Sequence, residues 1–310
     1  LNKEFRESLV LDESKNSISI LTPKDFSFKE CLVFLARSNN EVLHQVKGEY
    51  FFKLIKVENE LILLKVSSDQ NRVLIEFPDQ ILRDEIRVAA AAFVWDLFDL
   101  DRNLTDFYQL SKNDQLLQQL INQHFGLRVI GIPDLFEAFT WAIMGQQINL
   151  TFAFSLKRSF VETYGESFKW QDEIFWLFPT PNVIAELEVS DLTSLKFTTR
   201  KAEYVIGIAK LMADGLISKE YLQELGSYEK KLSKLVEIRG VGNWTADYVL
   251  MKCLKEKSAF PIADVGIHNA LKNLLSLEKK PSVEEIKKLS TSWEGWEAYV
   301  TFYLWRSLYS

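Results

Sequence analysis

The 310 residues are 47% hydrophobic and 26% charged, the balance of a globular chain long enough for two or three small domains. A net charge of −6 argues mildly against a nucleic-acid partner on charge alone. The two cysteines, Cys31 and Cys253, and the scattered His44, His124 and His268 exclude a disulfide framework, a four-cysteine zinc site, a four-cysteine iron–sulfur cluster and any evident metal-ligand cluster.

The charged start "LNKEFRESLVLDESK" has no signal-peptide core, and the longest apolar run, Val88 to Trp95, is far short of a membrane span. The expected setting is therefore intracellular and cytoplasmic, with no membrane partner. Up to about residue 80 the apolar runs are strand-like: "SISIL" (17–21), "VLHQV" (42–46), "YFFKLIKV" (50–57), "ELILLKV" (60–66) and "RVLIEF" (72–77). Polar turns separate the later ones, and "FSFKECLVFLARS" between the first two carries a helical apolar face through Phe28, Cys31, Leu32 and Leu35. A strand, a helix and an antiparallel meander over 1–82 are predicted. From 83 to 310 the period becomes helical, beginning with "ILRDEIRVAAAAFVWDLFDL" and ending with "WEAYVTFYLWRSL". The predicted class is α+β: a small antiparallel sheet domain followed by an all-helical region.

Within that region "LVEIRGVGNWTADYVL" (235–250) reads as helix, tight turn, helix. Gly240 and Gly242 suit a plain αα-hairpin turn, or one whose backbone closes on a phosphate at a helix N-terminus. From Lys230 to Lys257 seven basic residues outnumber three acids, a local +4 that suits either a phosphate-facing patch or a solvated helix face. Trp244 and Tyr248 share a helical face, either as core or as walls of a base-sized slot that would favour a cationic ring. Asp264 in "FPIADVGI" precedes a new helix, so it suits an N-cap as well as a carboxylate facing a cleft. His268 reads as a helix-surface residue. "WAIMGQQIN" (141–149) breaks a helix near Gly145; Gln146 and Gln147 suit a polar loop or a wedge into a duplex. Trp293, Trp296, Tyr299 and Tyr303 make the C-terminal segment aromatic, and most of them suit core packing.

Together these segments resemble the helix–hairpin–helix base-excision DNA glycosylases of the 3-methyladenine DNA glycosylase II type, over nearly the whole chain. "LVEIRGVGNWTADYVL" followed by "FPIAD" at the family's spacing carries most of the resemblance; "MGQQI", "FPTP" and "RKAEYVIGIAKL" add to it. The resemblance implies an N-terminal sheet similar to half of the TATA-binding protein, duplex DNA with a damaged base as partner, and no required cofactor; nothing in the sequence demands more than a monomer. It implies Asp264 as the catalytic aspartate, and Gly240, Gly242 and Thr245 as the phosphate-binding hairpin. It implies Trp244, Tyr248, Trp296 and Phe34 around the base, and Gln147, beside Gln146, at the intercalating position. The carbonyls of Val236, Ile238 and Val241 fall where the family holds a monovalent cation, Na+ or K+. The bifunctional relatives carry a lysine nucleophile at the position of Trp244, so a monofunctional enzyme is implied. The alternatives are a non-catalytic DNA-binding hairpin protein, a glycosylase for deaminated or oxidised purines, and an α+β protein with a small-molecule cleft.

Overall fold

The computed structural model describes residues 3–11 and 16–309. A short helix α1 (Lys3–Ser8) and strand β1 (Leu9–Leu11) precede β2 (Ser17–Leu21), α2 (Phe28–Leu35), β3 (His44–Lys47), β4 (Tyr50–Val57), β5 (Glu60–Asp69) and β6 (Arg72–Glu76). The six strands form one antiparallel sheet in the order β1-β2-β6-β5-β4-β3. The predicted meander is β3 to β6, and its last strand returns beside β2, with Ile18 opposite Ile75. The sequence pattern predicts neither α1 nor β1. Phe5 of α1 is held by tertiary packing, its ring 5.6 Å from that of Trp95.

Alternate residues of the central strands serve two different cores. Phe51 and Ile55 of β4 join the main core with α2, while Phe52 and Leu54 join a smaller cluster on the other face with Leu63 of β5.

Helices α3 (Asp84–Leu97), α4 (Thr105–Leu110), α5 (Gln115–Gln123), α6 (Leu135–Gly145) and α7 (Leu150–Tyr164) follow the sheet. A hairpin then intervenes, β7 (Ser167–Trp170) and β8 (Glu173–Trp176). After it come α8 (Pro181–Ala185), α9 (Val189–Ser194), α10 (Thr199–Ala213), α11 (Lys219–Glu224), α12 (Tyr228–Val236), α13 (Asn243–Lys252), α14 (Val265–Leu274), α15 (Val283–Leu289) and α16 (Glu297–Arg306). Most begin at a side-chain cap, among them Asp134, Asn149, Thr198, Ser227 and Asp264.

The β7–β8 hairpin corrects the expectation that 83–310 is all helical. Its Phe175 covers Phe52, Leu54 and Leu63, so the outer face of the sheet supplies the apolar surface that makes so short a hairpin stable. Trp170 donates its indole N–H to Asp79 at 2.7 Å, and Lys56 pairs with Glu166 at 2.7 Å across the same junction. The main core runs without interruption from the sheet through α2 and α3 into α6, α13 and α16. Glu30 fixes α2 to the helical part: its Oε2 lies 3.0 Å from Arg306 Nη2 and 3.0 Å from His124 Nδ1. Phe34 lies one turn further along α2, with Arg37 just past its end, so this anchoring brings both against the C-terminal helices. No helix among the described residues is long and apolar enough to cross a membrane.

Candidate active site

The segment between α12 and α13 is a tight turn. Ile238 N–H donates to the Leu235 carbonyl and Val241 N–H to the Ile238 carbonyl, at 3.1 and 3.0 Å. Gly240 has φ +92, and a Cβ there would lie 2.3 Å from the Tyr204 ring, so only glycine lets the turn lie against α10. Gly242 is exposed, and a Cβ there would meet nothing within 4 Å. It begins α13 with no side-chain cap, unlike most helices in this chain. The first amides of α13 therefore have no acceptor from a capping side chain, the arrangement that can receive an anion.

The other expected hairpin residues are placed differently. Thr245 is 2% exposed and turned inward. Gln146 Nε2 donates to Thr245 Oγ1 at 3.0 Å and to the Gly240 carbonyl at 3.1 Å. Gln146 thus ties the α6–α7 break to the hairpin, and its amide is not a free wedge. Gln147 next to it is exposed, with φ +56. Most of the local +4 is engaged within the protein: Lys231 pairs with Glu256, Lys234 with Glu237, Arg239 with Glu203 and Lys255 with Asp96, Lys257 lies over Trp296 and Lys252 is buried, while Lys230 is exposed.

Asp264 fulfils both of its sequence readings at once. As N-cap of α14 its Oδ1 accepts from the amides of Gly266 at 2.8 Å and Ile267 at 3.4 Å. Two indoles complete its shell: Trp305 Nε1 donates to Oδ1 at 2.8 Å and Trp244 Nε1 to Oδ2 at 3.1 Å. Oδ1 is therefore saturated, whereas Oδ2 has one protein donor and a free lone pair. The carboxylate opens on a cavity of about 170 Å³ between α2, α6, α13, α14 and α16. Trp244 and Tyr248 stand 5.7 Å apart at 31°, and Tyr248 and Trp305 stand 5.9 Å apart at 35°. Phe34 and Trp141 complete the aromatic wall. Asp264 is the single acid and there is no lysine among the residues lining this cavity.

Trp296 is not part of it. Its ring packs on Phe107 at 5.6 Å and Tyr299 at 5.6 Å, with the Lys257 ammonium 4.9 Å from its centroid. The tryptophan at Asp264 is Trp305, nine residues on, which at 1.5 Å per residue is about 13 Å further along α16. A Cβ on Gly266 would lie 3.0 Å from the Trp305 indole, so this glycine two residues after Asp264 was the available signal that a bulky ring packs there. His268 is no surface residue either: its two ring nitrogens lie 2.7 Å from the Pro281 carbonyl and 3.1 Å from the Ile262 carbonyl, bracing the loop that carries Asp264.

Behind the aromatic wall lies a second, smaller cavity of about 90 Å³ that the sequence did not disclose. It shares Phe34, Arg37, Trp141 and Tyr248 with the first. Lys157 sits there between Glu41 at 3.1 Å and Glu137 at 3.5 Å, and Lys252 donates to the Ile130 carbonyl. Burial drives Lys252 well below its ordinary value, and the nearby Arg37 adds to that shift. Burial likewise pushes the Tyr248 hydroxyl upward, keeping it a neutral wall. No group of three or more His, Cys, Asp or Glu side chains among the described residues is arranged to hold a metal ion.

Residues 140–295 match the model of the HhH-GPD superfamily base excision DNA repair protein, and residues 19–139 that of the 8-oxoguanine DNA glycosylase N-terminal domain. The chain is 42% identical over 304 residues to the DNA-3-methyladenine glycosylase of Bacillus subtilis (strain 168), covering 96% of this chain and 99% of that protein. Its fold is similar to that of the 3-methyladenine DNA glycosylase from Archaeoglobus fulgidus, with TM-score 0.77, 22% identity and coverage of 93% and 96%. It is also similar to the Clostridium acetobutylicum 8-oxoguanine glycosylase/lyase in complex with double-stranded DNA, with TM-score 0.75, 18% identity and coverage of 96% and 97%.

Proposed function

Because the chain belongs to the HhH-GPD superfamily of base excision DNA repair proteins, as a DNA glycosylase, we propose that it excises alkylated purines of the 3-methyladenine and 7-methylguanine type from duplex DNA without cleaving the strand. The observation that carries this reading is the Asp264 carboxylate, held by two indole N–H groups at the edge of an aromatic cavity.

Alkylation at N3 or N7 of a purine makes the base a cation, so it departs as a neutral molecule and needs no general acid. The nucleotide must first leave the stack, at a cost of a few kcal/mol that is least for a poorly paired lesion. The flipped base enters between Trp244, Tyr248 and Trp305, whose faces attract a cationic ring. As the glycosidic bond breaks, positive charge develops on the sugar, as in glycoside hydrolysis. The free lone pair of Asp264 Oδ2 meets that charge or orients the attacking water, while the indoles and the α14 amides fix the carboxylate in advance. The lack of a lysine among the lining residues favours hydrolysis over a Schiff-base route.

The uncapped N-terminus of α13 and the exposed backbone at Gly242 grip the DNA backbone without reading sequence. The Val236 carbonyl lies at the end of α12, and those of Ile238, which already accepts from the Val241 amide, and Val241 lie in the turn that follows. Neutral oxygens of this kind would hold a monovalent cation, which would supply positive charge toward a phosphate. The protein acts as a monomer on duplex DNA.

Release of free base from methylated duplex DNA tests the proposal. Asp264→Asn keeps an N-cap side chain, so folding and duplex binding should survive while release falls by at least about 100-fold. Undiminished release from that variant would overturn the role of Asp264.

A further inference from the structure

One charged wall of the cavity has no part in the chemistry above. Arg37 follows the C-terminal end of α2 and lines both cavities. Its guanidinium lies 4.0 Å from the centroid of the Phe34 ring and 5.5 Å from that of Phe154, and its Nη1 donates to the Phe34 carbonyl at 2.8 Å. A guanidinium carries five N–H donors in a rigid plane. One of Arg37's is accounted for by that carbonyl. Lys157 in the adjoining cavity has two carboxylates, but no ion pair is formed by Arg37 among the described residues. Asp264, across the same cavity, is already engaged by Trp244, Trp305 and two amides. Burial pulls Arg37 below its ordinary value, and Glu41, the carboxylate that acts on it from the adjoining cavity, is directly paired with Lys157, so the cost of desolvating this cation is only partly offset. Lys252 lies behind it, bonded to the Ile130 carbonyl and in no direct ion pair among the described residues.

A planar donor fork with no direct ion pair beside an aromatic slot matches one feature of a purine. The carbonyl oxygen at position 6 and the adjacent N7 of guanine form the acceptor edge that arginine binds bidentately. A base with an amino group at position 6 presents a donor there, and two donors repel. A positively charged lesion also meets a positive charge at this wall, which the aromatic faces must offset.

We propose that Arg37 is the specificity-determining residue of this cavity, binding the position-6 carbonyl of purines, through O6 and N7 in hypoxanthine and through O6 alone in 7-methylguanine, whose methylated N7 cannot accept, and contributing little to 6-amino purines such as 3-methyladenine. This rests on the glycosylase reading and narrows its substrate class. The three bases separate the two contributions. Hypoxanthine is neutral with the carbonyl, 7-methylguanine is cationic with the carbonyl, and 3-methyladenine is cationic without it.

The test is kcat/KM for release of each base from otherwise identical duplexes by wild type, Arg37→Met and Arg37→Lys. Arg37→Met should lower release of hypoxanthine and 7-methylguanine by about 10–100-fold, with the larger loss for hypoxanthine, and leave 3-methyladenine unchanged or faster. Arg37→Lys keeps the charge but not the fork. It should fold if the Met variant does not, and should lose most of the preference for the carbonyl bases. An equal loss for all three bases in the variants that fold, or no change for any, overturns the assignment and leaves Arg37 a packing residue. Wild-type protein that releases none of the three defeats the glycosylase reading itself, a different result from a wild type whose selectivity ignores Arg37.

Discussion

The two cavities that meet at Phe34, Arg37, Trp141 and Tyr248 are built on opposite principles. In the inner one a buried ammonium has its counter-charges: Lys157 lies between Glu41 and Glu137, with Lys157 and Glu41 both 7% exposed. Burial alone would push the Glu41 carboxyl up. Lys157 and then His44 more than offset it and hold the group far below the usual carboxylate range. In the outer cavity one carboxylate is braced from behind by donors and has an open lone pair in front. The inner set fixes the segment between α2 and β3 against α6 and α7, and the outer set leaves charge available to a substrate. The contrast teaches how to read a buried ion here: one whose partners are all protein maintains the structure, and one left partly open is available for chemistry. By that criterion Arg37 belongs to the outer cavity.

The largest expected effect that separates the two is on stability. Lys157→Met leaves Glu41 buried without its cation and should cost about 3–5 kcal/mol in denaturant unfolding, while molecules that remain folded release base at nearly the wild-type rate. A cost under about 1 kcal/mol would remove the distinction between the cavities. Next comes a loss of activity without a loss of fold. Trp305→Phe deletes a donor to a charged acceptor, worth about 1.5–3 kcal/mol, so base release should fall by roughly 10–100-fold with little change in melting temperature. Trp296→Phe is its control, expected to leave release untouched; the reverse pattern would restore Trp296 to the base pocket.

The smallest effect is one of pH. Burial pushes the His44 imidazole down to about 4 from its ordinary 6.5. The unfolded chain therefore takes up the proton first, and stability that is full above pH 6.5 is lost as pH falls through 4. His44→Gln should flatten the stability profile between pH 6.5 and 5, where this histidine accounts for about 1–2 kcal/mol. An unchanged slope would assign the acid sensitivity of that window to other groups.

Much of this was legible in the sequence because its signals are local. β4 and β6 follow runs whose β-branched and aromatic residues leave no helical alternative, and the glycine hairpin with Asp264 has a fixed spacing. What was hidden depends on tertiary register. Trp296 and Trp305 both read as aromatic residues near one helix, and only the docking of α14 on α16 decides which meets Asp264. Arg37 at a helix end reads as a solvated charge until Glu30 is seen anchoring α2 against Arg306. The β7–β8 hairpin has four-residue strands with a turn at Gln171, φ +53, and its stability comes from Phe52 and Leu63 a hundred positions earlier. A pattern read within one window cannot register that.

The same hairpin bears on how the chain is made. Phe52, Leu54 and Leu63 sit on strands complete by Asp69, yet their cover, Phe175, is roughly a hundred residues downstream. At about 5–20 residues per second, a ribosome leaves that greasy face bare for about 5–20 seconds in every round of synthesis. The nascent sheet is thus an exposed sticky intermediate whose natural protector has not yet been translated, and a message that stalled between the codons for Gln70 and Phe175 would release a fragment prone to clump.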